Sequence, residues 1–200
     1  MRWVALDGSG RGDAIAGTTT ASDYPGSVSP DGRQLAFVRL TPETSGDIFV
    51  APLDGNGKAQ LVLATPAYEG SARFSPNGRW MAYTSNDTGR MEVYLRPFPS
   101  PDRKWPISTE GGTQPVWNPN GREIFYRSGS KMMAVEVSLG ADVTLSSPRL
   151  LFDQPYAFGS GITIPNYDVD RNGERFLMIK EESRAGRLNL VLNWFNELKD

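Results

Sequence analysis

One five-residue pattern recurs along this chain and constrains its fold more than any other feature. It reads Ser29-Pro30-Asp31-Gly32-Arg33, then Ser75-Pro76-Asn77-Gly78-Arg79, then Asn118-Pro119-Asn120-Gly121-Arg122, with a weaker fourth copy at Asp170-Arg171-Asn172-Gly173-Glu174. The glycines are 46, 43 and 52 residues apart. Periods of this length indicate a fold made of repeated structural units.

The pattern has the chemistry of a tight turn between two antiparallel strands. In the first three copies, proline sets φ to about −65°, and the Asp or Asn that follows tolerates the next position and accepts hydrogen bonds from nearby backbone. Glycine takes the position with positive φ. We therefore predict structural repeat turns at Pro30, Asp31, Gly32, Pro76, Asn77, Gly78, Pro119, Asn120, Gly121, Asn172 and Gly173.

Apolar residues flank every turn in the same register. One stands before each turn: Val28, Phe74, Trp117 and Val169. Another stands three residues after each glycine: Leu35, Met81, Ile124 and Phe176. The strands read as apolar runs rather than strict alternations, which is typical of sheets covered on both faces. We expect Phe74, Ala82, Trp117 and Phe125 to be buried.

Further strands follow in each repeat. Third strands are predicted at residues 47–51, 92–96, 133–137 and 188–192, and outer fourth strands at residues 59–63, 104–108 and 149–152. Near the N-terminus, Leu6-Asp7-Gly8 repeats the Leu53-Asp54-Gly55 that ends the first of these third strands. Residues 3–6 are therefore predicted to be a third strand without its own first two, and residues 14–18 a weaker fourth strand.

Repeats of four strands predict an all-β fold, a β-propeller of about four four-stranded antiparallel blades. We assign a partial blade to residues 1–20, blades to residues 25–65, 70–110 and 113–153, and an incomplete last blade to residues 165–195. We favour an open arc from a larger propeller, because the first and last blades both lack strands. The alternative is a closed ring in which residues 14–18 pair with residues 188–192.

The repeat resembles that of the TolB-like (PDG-repeat) β-propellers, which are related to WD-type propellers. Its signature is the Pro-Asp-Gly turn, an apolar-Ala-aromatic strand such as Leu35-Ala36-Phe37, and a strand closing in Asp54-Gly55. The fourth repeat and residues 191–199 resemble the ending of such propellers in large bacterial proteins, where they follow a serine/threonine kinase domain or a DNA-binding regulator domain. The resemblance implies a sensing or interaction module and favours the periplasm over the cytoplasm.

The composition excludes several kinds of chemistry. The chain has no histidine and no cysteine, which rules out a histidine base, a thiolate nucleophile, disulfides and the usual zinc sites. It carries no glycine-rich phosphate loop with its strand lysine, and neither a His-Arg-Asp nor an Asp-Phe-Gly motif, so no kinase residue can be assigned. We predict no catalytic residue, no cofactor and no enzymatic activity for this chain alone.

The predicted partner is a protein or a small ligand. A net charge of −2 with mixed signs argues against nucleic-acid binding. No apolar run approaches the roughly 20 residues of a membrane span, so we predict no membrane insertion by this segment. Two other functions stay open: the accessory propeller of a prolyl-oligopeptidase-type hydrolase, and a stand-alone TolB-like periplasmic interaction protein. A sugar- or lactone-cleaving propeller enzyme would need clustered carboxylates or metal ligands, which are not found in register.

One candidate metal site overlaps the fourth turn. Asp168, Asp170 and Asn172 match the start of a calcium loop, but the twelfth position holds Ile179 instead of the expected glutamate. We favour a repeat turn there and keep calcium as the alternative.

Overall fold

The computed structural model describes residues 1–3, 13–15, 22–100, 103–140, 142–158, 164–180 and 189–190. These residues form strands, turns and loops, and no helix occurs among them. Consequently, the part of the chain that is described contains no helix able to cross a lipid bilayer.

All strand pairs among the described residues are antiparallel, and within each sheet a strand pairs with the next one along the chain, except that β15 pairs with β13. The first sheet pairs β1 (Arg2–Trp3) with β2 (Asp13–Ala14), and we call it the N-terminal strand pair. Blade 1 contains β3 (Ser22–Val28), β4 (Gln34–Leu40), β5 (Asp47–Pro52) and β6 (Gln60–Leu63). Blade 2 contains β7 (Glu69–Phe74), β8 (Trp80–Ser85), β9 (Glu92–Pro97) and β10 (Trp105–Pro106).

Blades 3 and 4 depart from the four-stranded pattern. Blade 3 contains β11 (Thr113–Trp117), β12 (Glu123–Ser128), β13 (Lys131–Leu139), β14 (Val143–Leu145) and β15 (Arg149–Asp153). Blade 4 contains β16 (Tyr167–Val169), β17 (Phe176–Lys180) and β18 (Asn189–Leu190). In blade 3 the long β13 pairs with β15 along its first half and with β14 along its second half.

The all-β fold class and the antiparallel four-stranded blades are confirmed. Three of the predicted third strands are also found, because β5, β9 and β13 include the predicted residues 47–51, 92–96 and 133–137. The strand β14 was not predicted. The limits assigned above to the partial and complete blades stay predictions.

Each repeat turn has the same backbone geometry. The glycines Gly32, Gly78, Gly121 and Gly173 have φ values of 71°, 69°, 72° and 75°. Each donates its backbone N–H to the carbonyl three residues earlier, at 2.8 or 2.9 Å. In blade 1 the Asp31 carboxylate accepts the hydroxyl of Ser29 at 2.6 Å and the backbone N–H of Arg33 at 3.1 Å. The side chain therefore closes the turn locally, as the sequence chemistry predicts.

The core lies between the blades. We call the four residues that begin three positions after each turn glycine the second-strand motif; in blade 2 they are residues 81–84. The first and third residues of the motif face the preceding blade, and the second faces the following one. Met81 and Tyr83 of blade 2 thus pack on Ile48 of blade 1, whereas Ala82 packs on Trp117 of blade 3. The four residues expected to be buried are so: Phe74, Ala82, Trp117 and Phe125 are 7%, 0%, 7% and 3% exposed.

Part of the N-terminal prediction lies outside the described residues. Arg2–Trp3 is a strand, and it pairs with Asp13–Ala14, so Ala14 pairs with Arg2. Asn189–Leu190 pairs with β17. Residues 4–6, 16–18, 188 and 191–199 are not described, so the choice between an open arc and a closed ring stays a prediction.

Candidate functional site: the turn-face groove and the inner-strand cluster

A groove of about 1020 Å³ lies between the repeat turns of blades 2 and 3 and the β13–β14 hairpin. We call it the turn-face groove. Its lining residues are Ser75, Pro76, Asn77, Asn120, Gly121, Arg122, Glu123, Glu136, Val137, Ser138, Leu139, Thr144, Leu145 and Ser146. The repeat turns of blades 2 and 3 lie at the same end of their sheets and form one wall of the groove. The unusually long β13, together with β14, forms the other wall.

Carboxylates occupy the β12–β13 side of this groove. Glu123 and Glu136 are direct cross-strand partners. Arg149 and Asn118 donate to Glu123 at 3.1 and 3.0 Å, whereas Glu136 is exposed and its backbone N–H binds the Ser146 hydroxyl at 2.9 Å. Like charges directly opposite each other repel. The groove therefore favours a basic group beside Glu136.

Two of the groove hydroxyls, those of Ser75 and Ser146, are engaged in local hydrogen bonds. Ser75 donates to the amide oxygen of Asn77 at 2.7 Å, and Ser146 donates to the carbonyl of Ser147 at 3.0 Å. Neither acceptor is a general base that could activate a serine nucleophile. This arrangement can form hydrogen bonds and ion pairs with a bound segment.

A second cavity of about 520 Å³ lies at the other end of blade 2, beside the start of β9. Its central carboxylate, Glu92, accepts the backbone N–H of Gly111 at 3.0 and 3.1 Å, an ion pair from Arg90 at 2.8 Å, and the hydroxyl of Ser108. With this many donors, Glu92 fixes the connection from blade 2 to blade 3.

The first strands lie at one edge of each blade, and those of blades 1, 2 and 3 contain an irregularity. The register shifts between Pro25 and Ser27 in β3, between Gly70 and Arg73 in β7, and between Thr113 and Val116 in β11. Gln114 stands within the last of these, with φ of 57°, a conformation that non-glycine residues seldom adopt. Its side chain is fully buried, and among the described residues neither amide atom has a hydrogen-bond partner.

Gln114 is linked through Tyr167 to further buried polar residues, and we call the group the inner-strand cluster: Gln114, Tyr167, Arg73, Arg127 and Asn166, which precedes Tyr167 in the chain. The Tyr167 hydroxyl donates to the backbone carbonyl of Gln114 at 2.8 Å. Arg73 and Arg127 both act electrostatically on Tyr167. Arg127 is 1% exposed and donates to the carbonyls of Gly129 and Tyr156.

Burial dominates the electrostatics of this cluster. It raises the pKa of Tyr167 far above the ordinary value, while the charges of Arg73 and Arg127 act in the opposite direction. Burial also lowers the pKa of Arg73 and of Arg127. Tyr167 is therefore neutral at physiological pH, and the two guanidinium groups remain the main charges, because arginine keeps its proton even when buried.

The predicted site residues are divided between these surfaces and other turns. Pro76, Asn77, Asn120 and Gly121 line the turn-face groove. The remaining turn residues, Pro30, Asp31, Gly32, Gly78, Pro119, Asn172 and Gly173, lie in the four turns without lining the groove.

At the calcium alternative, Asp170 accepts the backbone N–H groups of Glu174 and Arg175 at 2.9 and 3.2 Å and the Arg175 Nε at 2.8 Å. Asp168 accepts the backbone N–H of Val169 at 2.9 Å. The three donors at Asp170 are those expected of a turn cap. Among the described residues, no three His, Cys, Asp or Glu side chains gather as a metal site.

Sequence analysis missed the inner-strand cluster. One signal was present: Arg127 is the fourth residue of the second-strand motif, where the other repeats have Val38, Thr84 and Ile179. A charged residue at a position that faces the following blade is unusual for a covered sheet. The unpaired amide of Gln114 carries no such signal, since its burial depends on the irregular backbone of β11.

Comparison with known proteins extends the fold assignment. No family model matches the chain. A tricorn protease homologue of Streptomyces coelicolor is 42% identical over 66 residues, which span 33% of this chain and 5% of that protein. The chain therefore matches a small fraction of the length of this curated relative.

Solved structures match more of the chain at lower identity. TolB from Acinetobacter baumannii superimposes with a TM-score of 0.67 and 18% identity, covering 91% of this chain and 43% of that one. A puromycin-hydrolysing peptidase of Mycobacterium tuberculosis gives a TM-score of 0.61 and 16% identity, covering 86% of this chain and 31% of that one. At these identities the matches show a shared fold, and that fold is the TolB-like β-propeller.

Proposed function

We propose that this chain is a non-catalytic binding segment of a larger bacterial protein, and that its turn-face groove takes an extended segment of a protein partner. One observation carries the proposal: the groove is bounded by β14, which pairs only with β13 among the described strands. A strand with one unpaired edge can add a further strand from a partner through main-chain hydrogen bonds.

The chemistry of the groove specifies the partner further. A volume of about 1020 Å³ is at the upper end of the range for small-molecule pockets, and it suits several residues of an extended chain. The exposed Glu136 stands opposite Glu123, whose charge is already matched by Arg149. A basic side chain in the partner would offset the remaining carboxylate, so we expect a lysine or arginine in the bound segment.

Two kinds of parent protein are supported by different observations. The repeat signature and its ending resemble propellers attached to bacterial serine/threonine kinases, which supports a signalling role. The tricorn protease homologue and the peptidase among the similar proteins favour a second candidate, a propeller that receives peptides for a peptidase domain. In that case the same groove would bind substrate, and Glu136→Lys in the complete protein would change KM rather than kcat.

The test is selection of a random displayed-peptide library on the purified chain, followed by affinity measurement. We expect enriched peptides to share a basic residue. Their affinity should fall about tenfold with Glu136→Lys, since one lost ion pair in a partly covered site is worth about 1.4 kcal/mol.

Glu174→Lys is the matched control, because it makes the same charge change at an exposed turn of blade 4. Thr144→Trp should block the groove, whereas Gln60→Trp places the same side chain on an exposed strand of blade 1. Enriched peptides that bind Glu136→Lys and Thr144→Trp as well as the unmodified chain would overturn the assignment of the groove. No enrichment at all would overturn the proposed function.

A further inference from the structure

The inner-strand cluster contains more unpaired hydrogen-bonding atoms than a folded core normally keeps. Gln114 Nε2 and Oε1, Arg73 Nε, Arg127 Nη1 and Asn166 Oδ1 are all buried without a partner among the described residues. Buried polar groups almost always have a hydrogen-bond partner, because an unpaired one loses its hydrogen bonds to water and gains none in the protein. Five such atoms in one cluster indicate that something outside the protein chain pairs with them, and an acceptor group can pair with the three N–H donors among them.

The charges around these atoms specify the chemistry of the missing group. Arg73 and Arg127 carry two positive charges, and Tyr167, on which both charges act, is neutral. Asp168 is the carboxylate that acts on Arg73 and Tyr167, and it is an exposed residue that offsets the two charges incompletely. Three of the unpaired atoms are N–H donors, from Arg73, Arg127 and Gln114. Donors beside a net positive charge suit an anion with more than one acceptor oxygen.

The way into the cluster also limits the ligand. Gln114 is completely buried and Arg127 is 1% exposed, so a large ligand has no room. The Phe158 ring lies 5.4 Å from the Arg127 guanidinium and is itself 46% exposed. Phe158 therefore stands between Arg127 and solvent, and a small anion would enter past this ring.

We propose that the inner-strand cluster binds a small carboxylate, held by the free N–H groups of Arg73, Gln114 and Arg127. This site shares no residue with the lining of the turn-face groove, and it does not depend on the function proposed for that groove. The bound carboxylate would join blades 2, 3 and 4, because these three residues and Tyr167 come from β7, β11, β12 and β16. Binding should therefore stabilise the folded chain as well as fill the site.

The experiment is titration of the purified chain with sodium formate and sodium acetate, followed by isothermal calorimetry and by the thermal midpoint at constant ionic strength. We expect saturable binding of one carboxylate per chain and a midpoint that rises with its concentration. Arg73→Met should weaken binding about tenfold, the effect of losing one charged donor. Arg73 is half-buried, so this variant is expected to fold.

Two further variants separate a specific site from general charge effects. Gln114→Leu removes the amide donor and should also weaken binding. Arg149→Met removes one exposed positive charge and should leave binding unchanged. Phosphate and chloride are the competing anions: binding of these with equal or greater affinity would overturn the choice of carboxylate. A midpoint that responds to formate equally in all variants, or not at all, would mean that ordered water satisfies these atoms, and would overturn the site.

Discussion

The same position of the repeat is buried in blade 2 and exposed in blade 4. Ala82, the second residue of the blade 2 motif, is fully buried against Trp117 and Ile124 of blade 3. Leu177 holds that position in blade 4 and is 45% exposed, although its side chain is larger and more apolar. The neighbouring Ile179 is 36% exposed. Burial in this fold is thus decided by the next blade rather than by the strand itself.

The start of the blade series differs from its end. Leu35 and Phe37 lie on the side of blade 1 that faces away from blade 2. Ile15, next to the N-terminal strand pair, packs on them there, so both residues are buried. This face of blade 1 is only partly covered: Val28 is 43% exposed, whereas its counterparts Phe74 and Trp117 are each 7% exposed. A short pair of strands can cover the middle of a blade face but leaves the first strand uncovered.

The largest effect is expected at the interface between blades 2 and 3. Trp117→Ala removes a side chain that packs on Ala82 and Leu95 and donates its Nε1–H to the carbonyl of Arg73 at 3.2 Å. We expect the free energy of unfolding to fall by about 3–5 kcal/mol, as for other buried large aromatics. Urea denaturation measures it. Trp105→Ala, in the half-buried outer strand β10, is the control and should cost clearly less; equal losses would mean that the interface is not the main source of stability.

A smaller difference is expected between two repeat turns. A Cβ on Gly173 would lie 2.2 Å from Asn118 Oδ1, and Asn118 is held in place by bonds to Asn120 and Glu123. A Cβ on Gly32 meets nothing within 4 Å. Gly32→Ala should therefore cost the left-handed strain alone, about 1–2 kcal/mol, and Gly173→Ala about 2–4 kcal/mol, because the clash adds to the strain. Equal denaturation midpoints for the two variants would contradict the contact between blades 3 and 4.

Two carboxyl groups, Glu69 in the interior of blade 2 and Asp170 in the repeat turn of blade 4, should make stability depend on pH in opposite directions. Burial raises the pKa of Glu69 above its ordinary value of 4.5, despite hydrogen bonds from Thr65 and Ser85 that lower it. The folded state then holds the Glu69 proton more tightly than the unfolded state does. The resulting contribution to the free energy of unfolding is complete below about pH 4.5 and is lost as the pH rises through the folded-state pKa.

Asp170 should behave in the reverse sense. The hydrogen bond from Arg175 lowers the pKa of its carboxyl below 3.8. The contribution of the ionised Asp170 carboxylate to the free energy of unfolding is therefore present above pH 3.8 and is lost as the pH falls through the folded-state pKa. Thermal midpoints measured from pH 3 to pH 8 test both. Glu69→Gln should flatten the loss above pH 4.5, and Asp170→Asn the loss at the acidic end; exchanged effects would refute the assignment.

Most of the fold follows from the sequence because the repeat fixes the turns, and each turn fixes the register of the two strands it joins. Trp117 and Ala82 could be assigned to the core for that reason. The strand β14 could not be predicted, since it replaces part of the usual pairing along an overlong β13. Without β14 the turn-face groove would lack part of its second wall, so its residues Ser138 and Thr144 carried no signal of a site.

The inner-strand cluster was beyond sequence reasoning for a different reason. Its components come from three blades, and no local pattern relates Arg73 to Gln114 or Tyr167. Gln114 moreover lies within the irregular part of β11, where it adopts a positive φ. Residues that gain their role from contacts between repeats cannot be read from the repeat itself, which describes one blade at a time.

The smallest effect is expected on the outer face of blade 4. Leu177→Ala should lower the free energy of unfolding by less than about 1 kcal/mol, because the side chain is already half in water. Phe125→Ala, at the same register position of blade 3, should cost about 3–5 kcal/mol, since Phe125 packs on Phe176 with ring centroids 4.9 Å apart. Denaturation of both variants at two protein concentrations sharpens the comparison. A loss at Leu177 that approaches the loss at Phe125 and grows with concentration would mean that a second copy covers this face, and a large loss independent of concentration would mean that the same chain covers it.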